Sequence, residues 1–369
     1  MKWLYGILCL VFLIVFHEFG HFLAAKLFGV QVESFSVGFG PVLLHKNIKG
    51  TDYRLSLLPL GGYCGMKGEK DFQKAIDEKL PAIEAEADSL YGIHPFKRAL
   101  IGFAGPFFNF LFAIIAYSFI NGIGYTYYTY SNKILINDMV TSSAAKNAGI
   151  ISGDKIIQIN QKKIEDFSDL ITEISTRPDE DVIIKVDRNG ELFDFIVHVE
   201  LDKSSGSGKI GVAADSSEIL TKEAPTYSFF KAIGHGFLDT LNNTALTLKS
   251  IGILFKGVDM NNAVSGPARV TEMLGSTVKD GFSEGLKTGF VSIISLLAII
   301  SISLFIMNLL PIPVLDGGLI LIAIIEIILR KKINPKFQYY IQYIGLAFII
   351  FLFIIGVKGD ILFFMNRGK

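Results

Sequence analysis

The sequence predicts a polytopic α-helical membrane protein with four transmembrane helices, a β-rich region on the cytoplasmic side and one inserted extracytoplasmic α/β domain. Half of the 369 residues are hydrophobic and only 19% are charged, whereas about 25% are charged in typical soluble domains. Several apolar stretches are long enough to cross about 30 Å of hydrocarbon. A polar segment with alternating strand and helix character separates the second stretch from the third. The net charge is zero, so the sequence gives nucleic-acid binding no electrostatic support.

The first transmembrane helix is predicted over residues 1–28. The run from Trp3 to Phe16 is uncharged, and Phe22-Leu23-Ala24-Ala25 continues it after an interruption by ionisable residues. A cleaved signal peptide is the alternative interpretation of such an N-terminal run, but no small-x-small cleavage site precedes the interruption. A retained membrane helix is therefore the favoured interpretation.

Three further stretches complete the predicted set of transmembrane helices. The second helix is predicted over residues 99–120, which carry no charge, and the fourth over residues 337–358. The third is predicted over residues 289–329 and is broken by Pro311 and Pro313, because proline removes a helical hydrogen bond and clashes with the preceding turn. Four spans place both termini on the same side of the membrane.

Lysine and arginine near the span ends predict the orientation, since these residues are enriched in cytoplasmic loops. Lys26 follows the first span, and Lys97 and Arg98 precede the second. A basic cluster stands between the third span and the fourth: Arg330, Lys331, Lys332 and Lys336. These ends are predicted to be cytoplasmic, and both termini and the segment from Asn121 to about Gly289 are predicted to be extracytoplasmic.

Residues 29–98 are predicted to form a β-rich cytoplasmic region with a polar loop. Strand-type residues separated by glycine or proline occupy three segments: Val32–Phe39, Val42–His45 and Tyr53–Leu60. The stretch Leu55–Leu60 is unusually apolar for a loop. It fits a membrane-re-entrant hairpin that protein shields from lipid, and it fits an ordinary cytoplasmic hairpin equally well. The polar, acidic residues 69–91 predict a solvated helical excursion.

The extracytoplasmic segment contains one compact α/β unit, predicted over residues 126–215. A short strand is predicted at Ile134–Ile136, and a later hairpin turns about Asn189-Gly190, a favoured type I′ pair. The pattern Ala145-x-x-Ala148-Gly149-Ile150-x-x-Gly153-Asp154 resembles that of a bacterial PDZ domain. Such domains bind extended peptides by adding a strand to the edge of their sheet.

Residues 216–288 are predicted to be an extracytoplasmic amphipathic helical region. Apolar residues recur at helical spacing between Tyr227 and Lys256: Phe230, Ile233, Phe237, Leu241 and Leu246. A helix of this type can lie in the membrane surface with its apolar face toward lipid. Membrane lipid is therefore a predicted partner.

Ionisable residues interrupt the first apolar run at His17-Glu18-Phe19-Gly20-His21. On a helix, this HExxH spacing places two imidazoles on one face with a carboxylate between them, an arrangement found in zinc metalloproteases. Ionisable side chains cost about 2.5–3.5 kcal/mol each at a bilayer centre on insertion scales and are rarely found there without a role. The motif therefore predicts a metal site within a membrane helix.

A zinc site of this kind needs a third protein ligand and an open position for water. The candidate is Asp316, in the remote segment Asn308-Leu309-Leu310-Pro311-Ile312-Pro313-Val314-Leu315-Asp316-Gly317-Gly318. The prolines interrupt helical hydrogen bonding, and the glycines permit close approach of the backbone. A bound cation would justify an acidic residue at membrane depth on such a broken helix.

These motifs together resemble those of the site-2 protease family of intramembrane zinc metalloproteases, and most closely its bacterial, PDZ-containing, RseP-type members. The resemblance covers nearly the whole chain. Besides HExxH in the first span and Asn-x-x-Pro-x-Pro-x-x-Asp-Gly in the third, it rests on four shorter segments: Val37-Gly38-Phe39-Gly40-Pro41, Pro59-Leu60-Gly61-Gly62-Tyr63, Ala104-Gly105-Pro106-x-x-Asn109-Phe110 and Ser265-Gly266-Pro267.

The resemblance implies a role for each matching residue. His17, His21 and Asp316 would bind Zn²⁺, and Glu18 would be the catalytic general base. Asn308 would hydrogen-bond the substrate backbone. An edge strand would pair with the substrate through four further residues: Leu57, Leu58, Pro59 and Leu60.

The resemblance also implies a function and a location. The protein would cleave single-span membrane proteins in or near their transmembrane segment, in the cytoplasmic (inner) membrane of a bacterium. Membrane-tethered anti-sigma factors and remnant signal peptides are the implied substrates, and the PDZ-like domain would exclude substrates with bulky exported domains. Only one such domain fits here, whereas some relatives have two, so the implied size filter is looser.

Two other functions are compatible with parts of this pattern. A non-catalytic membrane scaffold that presents a PDZ domain predicts decay of the metal ligands, yet all of the motif residues are intact. An ion transporter with intramembrane acidic groups predicts broken helices in repeated halves, and no internal repeat is visible.

The remaining polar residues receive structural interpretations. Glu326 is predicted to face the membrane interface or a polar group of the helix bundle. Asn109 is open between hydrogen bonding with another helix and support of the active site. The two cysteines, Cys9 and Cys64, are predicted to be inert. Four histidines are predicted to be surface or packing residues: His45, His94, His198 and His235.

Overall fold

The computed structural model describes residues 2–136, 143–254, 256, 258–259 and 265–366. The chain divides into two compact units. The first, called the membrane unit below, comprises Met1–Gly122, Ser228–Thr244 and Gly266–Phe364. The second, called the α/β unit, comprises Ile123–Tyr227, Ala245–Ser265 and Met365–Lys369.

The described helices are, in chain order, α1 (Lys2–Leu27), α2 (Glu69–Asp77), α3 (Pro95–Ile123), α4 (Ala144–Asn147), α5 (Phe167–Ser175), α6 (Phe229–Leu254), α7 (Pro267–Ser283), α8 (Leu286–Asn308), α9 (Asp316–Leu329) and α10 (Pro335–Asn366). The described strands are β1 (Val32–Ile48), β2 (Thr51–Met66), β3 (Thr126–Tyr130), β4 (Ile134–Ile136), β5 (Lys155–Ile159), β6 (Lys162–Lys163), β7 (Asp181–Arg188), β8 (Glu191–His198), β9 (Glu200–Leu201), β10 (Gly208–Lys209), β11 (Val212–Ala214) and β12 (Ile219–Glu223).

Four of the described helices are long and apolar enough to cross a membrane: α1, α3, α8 and α10. This confirms the predicted set of four membrane helices. Helix α3 begins four residues before the predicted start, and α10 continues to Asn366, past the predicted end at residue 358. The extra turns carry polar residues, Arg98 and Asp360, that have partners inside the protein. The third predicted span consists of two helices, α8 and α9, on either side of residues 309–315.

Helix α7 packs closely against the N-terminal half of α1. A Cβ atom at Gly6 would lie 2.0 Å from the Thr271 carbonyl oxygen, and one at Gly275 would lie 1.9 Å from the Lys2 carbonyl oxygen. Glycine therefore allows the two backbones to touch. The Lys2 ammonium also donates a hydrogen bond to Glu272 at 3.0 Å. Helix α7 thus belongs to the membrane unit; it lies within residues 216–288, which the sequence predicted as an extracytoplasmic amphipathic helical region.

The start of α7 is capped by a carboxylate from another helix. Asp360, which is on α10 and 4% exposed, accepts hydrogen bonds from the backbone N–H groups of Gly266, Ala268 and Arg269 at 2.8, 3.0 and 3.2 Å. The first turn of a helix leaves such N–H groups unpaired, and a negative charge there is favourable. Asp360 lies beyond the predicted end of the fourth helix, so the sequence assigned it no role.

Replacing Asp360 by alanine is expected to lower the free energy of unfolding by about 2–3 kcal/mol, because buried N–H groups lose a charged acceptor. Thermal unfolding in detergent should give a lower Tm for Asp360→Ala. The Tm of Asp360→Asn should lie between those of Asp360→Ala and wild type, since the asparagine amide oxygen can still accept hydrogen bonds. A wild-type Tm for Asp360→Ala would rule out the capping role.

The first half of strand β1 pairs with two different stretches of strand β2. Val37 pairs with both Leu55 and Gly62, so the first half of β1 lies between two stretches of β2. The second half of β1 pairs with Thr51 to Ser56. The sequence predicted a break at Gly40-Pro41, between the segments Val32–Phe39 and Val42–His45, but β1 continues through it. Gly38 and Gly40 have φ of 89° and 81°, so the glycines bend the strand and shift its register without ending it.

The predicted helical excursion over residues 69–91 is helical at Glu69–Asp77 alone among its described residues. The acidic residues that follow are held by other contacts. The Lys67 ammonium donates to Glu86 at 2.6 Å and to Asp88 at 2.7 Å. These bonds tie the segment to the end of β2 in an irregular conformation.

The α/β unit has its own core beneath a sheet with the antiparallel strand order β6-β5-β7-β8. Ile156, Ile184 and Val186 are fully buried in this core. Strand β4 occupies the residues predicted for it. Asn189 and Gly190 join β7 to β8 with φ of 56° and 92°, which is typical of a type I′ turn.

A second ribbon of the α/β unit pairs β3 with β12, from Thr126 opposite Glu223 to Tyr130 opposite Ile219. Neither strand was predicted from the sequence, and residues 219–223 were predicted to belong to the helical region. Strand β12 mixes apolar and charged residues without a two-residue alternation, so no local signal indicated a strand.

A buried ion pair links the start of β5 to the end of β7. The Arg188 guanidinium donates two hydrogen bonds of 2.8 Å to Asp154, whose side chain is 1% exposed. Burial raises the pKa of the Asp154 carboxyl, but the hydrogen bonds from Arg188 and from the Ile151 N–H outweigh burial, so the pKa lies below the usual 3.8. The pair therefore stabilises the unit above pH 3.8, and the contribution is lost as the pH falls through the lowered pKa.

Arg188→Gln is expected to lower the opening free energy of this sheet by about 1–2 kcal/mol at neutral pH. Amide hydrogen exchange of β5 and β7 measures it. On acidification below the lowered pKa, wild type should lose protection and approach the variant, because protonated Asp154 no longer attracts the guanidinium. A difference between the two proteins that stays constant through the titration of Asp154 would contradict this account.

Candidate metal centre

Three potential metal-ligand side chains from distant parts of the chain meet inside the membrane unit. The Nε2 atoms of His17 and His21 lie 3.2 Å apart. Asp316 places one carboxylate oxygen 3.1 Å from His17 Nε2 and the other 3.2 Å from His21 Nε2. Both histidines are buried, and Asp316 is half-buried. Within the described part of the chain, this is the one group of three or more His, Cys, Asp or Glu side chains close enough to hold a metal ion.

Helix α1 and a glycine on α3 explain how the two imidazoles fit together. The histidines are four residues apart, so they lie one above the other on the same face of α1. A Cβ atom at Gly105 of α3 would lie 2.2 Å from His21 Nε2 and 2.7 Å from His17 Nε2. Any side chain at position 105 would therefore occupy the space of the ligand atoms.

Asp316 reaches the histidines because the loop before it folds back tightly. Asp316 is the first residue of α9. A Cβ atom at Gly317 would lie 2.2 Å from the Leu310 carbonyl oxygen, and one at Gly318 would lie 2.5 Å from the Ile312 carbonyl oxygen. Val314 has a φ of 140°, a strained conformation for a β-branched residue. The glycines after Asp316 thus make room for a strained loop that presents the carboxylate.

A backbone carbonyl orients His21. The Nδ1 atom of His21 lies 2.8 Å from the carbonyl oxygen of Ile101. A carbonyl oxygen only accepts, so Nδ1 carries a proton, and Nε2, which faces Asp316, is the nitrogen available to a metal. Metal-binding histidines typically donate the N–H of their other ring nitrogen to a carbonyl or carboxylate oxygen in this way.

Asn109 orients His17 in a similar way. The fully buried Asn109 side chain lies 3.0 Å from His17 Nδ1. The nearer atom is the amide nitrogen, Nδ2, and the amide oxygen, Oδ1, has no hydrogen-bond partner among the described residues. The two ends of an amide are assigned by the bonds they make. When the amide group is rotated by about 180° so that its oxygen and nitrogen exchange places, Oδ1 accepts a hydrogen bond from His17 Nδ1–H. The Nε2 lone pair of His17 is then free for a metal. Of the two roles open for Asn109, this contact favours support of the site.

Glu18 is held beside the histidines by the β-sheet region. One carboxylate oxygen of Glu18 accepts the backbone N–H of Cys64 at 3.0 Å. The second oxygen is the candidate proton acceptor. Cys64 was predicted to be inert, and its backbone contact could not be foreseen because such a contact does not depend on the identity of the side chain. The segment Pro59-Leu60-Gly61-Gly62-Tyr63, just before it, was the available signal.

The donor set fits zinc. Neighbouring ligand atoms around tetrahedral zinc with bonds of about 2.0–2.2 Å are about 3.3–3.6 Å apart. Here the two Nε2 atoms are 3.2 Å apart, one Asp316 oxygen lies 3.1 Å from His17 Nε2, and the other lies 3.2 Å from His21 Nε2. With both Nδ1 atoms protonated, two Nε2 lone pairs and a carboxylate converge, and a cation stabilises that arrangement. Two histidines and one carboxylate, with a fourth position for water, are a common catalytic zinc set.

The predicted substrate-binding residues lie outside this ligand cluster. Asn308 is the half-buried last residue of α8. In β2, Leu57 and Leu58 are 53% and 47% exposed, and Pro59 is exposed as well. Leu60 belongs to the same strand. Their contact with substrate remains a prediction.

The buried acid of α9, Glu326, pairs with Arg98. Arg98 donates to Glu326, and both side chains are 4% exposed. Glu326 also accepts the N–H of Ile333 at 2.9 Å, and the Arg98 guanidinium lies 5.4 Å from the centre of the Tyr91 ring. Glu326 thus faces a polar group of the bundle, which is one of the two positions predicted for it.

Three of the remaining histidines are exposed and have local partners. His45 lies 3.1 Å from Asp52, and His198 lies 2.8 Å from Asp181. His94 accepts the N–H of Phe96 at 3.2 Å. Each of them therefore has a surface role.

Comparison with known proteins gives consistent matches. The sequence profile of peptidase family M50 matches residues 5–352. A protein of Treponema pallidum is 33% identical over 99% of this chain and 100% of its own length. Proteins of Campylobacter jejuni and Rickettsia conorii are 33% and 32% identical, over 98% and 96% of this chain and 93% and 97% of their own lengths. All three carry the name "Putative zinc metalloprotease".

Proposed function

We propose that this chain, which belongs to peptidase family M50, the site-2 proteases, cleaves single-span membrane proteins in or near their transmembrane segment. The family and the relatives make it a membrane zinc metalloprotease. The observation that carries the proposal is the position of the ligand cluster, within the apolar helix α1 and at the start of α9. A peptide bond must enter the membrane unit to reach it.

Each residue of the site has a separate role in the proposed reaction. His17, His21 and Asp316 would hold the zinc. Zinc at such a site supplies a Lewis acid, which polarises the scissile carbonyl and lowers the pKa of a coordinated water to about 7. Glu18 takes a proton from the attacking water and then gives it to the leaving amine. The Cys64 N–H keeps the Glu18 carboxylate beside the histidines during both transfers.

A helical substrate must be unwound before its peptide bond can be attacked, because its backbone groups are hydrogen-bonded to one another. Strand β2 is placed to assist, since its residue Cys64 contacts Glu18. In the proposal, Asn308 and the edge around Leu57, Leu58, Pro59 and Leu60 bind the extended substrate, the latter by strand addition. The exposure of Leu57 and Leu58 supports this role.

The proposal also includes the location and the orientation of the protein in the membrane. The bacterial relatives support a location in a bacterial inner membrane. Basic residues near the span ends favour an orientation with both termini and the α/β unit outside the cytoplasm. The α/β unit, with its short strands and type I′ hairpin, would be a PDZ-like size filter. Anti-sigma factors and remnant signal peptides, which have small exported parts after trimming, are the proposed substrates.

The test uses purified enzyme in lipid vesicles with two single-span reporters. They share one transmembrane segment, and one has a short exported tail while the other has a folded exported domain. The short reporter is expected to be cut in or near its membrane segment, as mapped by mass spectrometry, and the bulky one to be spared. Cleavage confined to soluble regions would overturn the proposal, and equal cleavage of both reporters would remove the size filter from it.

A further inference from the structure

We propose that the membrane unit has a second ligand site, which binds the phosphate-bearing headgroup of an anionic phospholipid. A cavity of about 480 Å³ opens between the start of α3 and the end of α9. Its basic lining residues are His94, Arg98, Arg330, Lys331 and Lys332. None of them belongs to the zinc ligand set or contacts Glu18, so the site is independent of the proposed proteolysis.

The charge of the cavity points to an anion. Glu326 is its one acidic lining residue, and this carboxylate is already paired with Arg98 and with the N–H of Ile333. Lys332 donates to a neutral acceptor, the Ile83 carbonyl oxygen, at 2.8 Å. Arg330, Lys331 and Lys332 therefore leave the cavity with an excess of positive charge.

The buried arginine gives a second, independent indication. Arg98 is 3% exposed, and its Nε atom has no hydrogen-bond partner among the described residues. Buried donors of this kind are normally satisfied. The Nε atom itself has no exposed surface, but the Arg98 side chain lines the cavity. An anion there would add to the negative charge that Glu326 supplies to this buried guanidinium.

The surface beside the cavity is apolar, which favours a lipid over free phosphate. Ile328 and Leu329 directly precede Arg330 and are 73% and 58% exposed. Phe96, at the start of α3, is 57% exposed. A phospholipid meets both features with one molecule, because its acyl chains can lie along the end of α9 while its phosphate enters the cavity. Basic pockets between helices at the membrane boundary bind anionic headgroups in this way.

The experiment compares two variants with the same change in charge. Arg330→Gln/Lys331→Gln alters the cavity, and Lys46→Gln/Lys336→Gln removes two exposed lysines that do not line it. Each protein is purified in detergent and titrated with phosphatidylglycerol or phosphatidylcholine, and bound lipid is measured by native mass spectrometry. Equal Tm values without lipid establish that the variants are folded.

Wild type is expected to retain phosphatidylglycerol in preference to phosphatidylcholine. The cavity variant should bind phosphatidylglycerol about 30-fold more weakly, and the control variant should remain within about threefold of wild type. Equal weakening in both variants, or equal retention of the two lipids by wild type, would overturn the proposal. Release of phosphatidylglycerol by inorganic phosphate at a matching concentration would assign the cavity to free phosphate and would also overturn it.

Discussion

Glu18→Gln is expected to slow cleavage of a single-span reporter by about 10³-fold while the zinc content stays at the wild-type level. Glutamine has the shape of glutamate, and its amide oxygen can still accept the Cys64 N–H that anchors position 18. It cannot take a proton from water or return one to the leaving amine. The rate is measured under single-turnover conditions in vesicles, and zinc is measured by elemental mass spectrometry on the same sample.

The matched control is Glu33→Gln, which removes the same charge from an exposed position of β1. It should cleave at the wild-type rate. A Glu18→Gln enzyme that keeps its zinc and works within about tenfold of wild type would exclude Glu18 as the general base.

Asp316→Asn is expected to weaken zinc binding by more than about 100-fold, since even loss of an outer hydrogen-bond partner of a ligand costs about 10–100-fold. The variant leaves two histidines and a neutral amide where a carboxylate now faces both Nε2 atoms at 3.1 and 3.2 Å. Zinc remaining after dialysis against a weak chelator measures the effect, and activity should fall with it.

Two companion variants sharpen the test of the ligand cluster. Asp280→Asn removes an exposed carboxylate of α7 and should retain zinc. Gly105→Ala changes no ligand, yet it should lose zinc as Asp316→Asn does, because its Cβ would lie 2.2 Å from His21 Nε2. Full zinc in both Asp316→Asn and Gly105→Ala would place the metal elsewhere.

Much of the membrane unit could be predicted from the sequence, because membrane helices and an HExxH turn are local patterns. The i, i+4 spacing of His17 and His21 is a property of one helix, and the four apolar runs are read one at a time. Asp316 could be assigned in spite of its distance along the chain, because prolines and glycines around an intramembrane acid are unusual. The short strands and the type I′ turn of the α/β unit also have local signatures.

The features that the sequence left out are contacts between remote partners. The Cys64 N–H reaches Glu18, Asp360 caps α7, and Arg98 pairs with Glu326. Nothing in the residues around any of these partners specifies the other. Strand β1 shows the opposite error, since Gly40 and Pro41 were interpreted as a break between two strands, whereas β1 is continuous there and bends at Gly38 and Gly40.

The ligand cluster joins one of the first elements to be synthesised to one of the last. At about 5–20 residues per second, the ribosome adds Asp316 roughly 15–60 s after His21. Throughout that interval the inserting chain has two histidines and no third ligand. We therefore expect proteolytic competence to arise only when translation is nearly complete, so that nascent membrane segments emerging nearby meet an enzyme that cannot yet cut them.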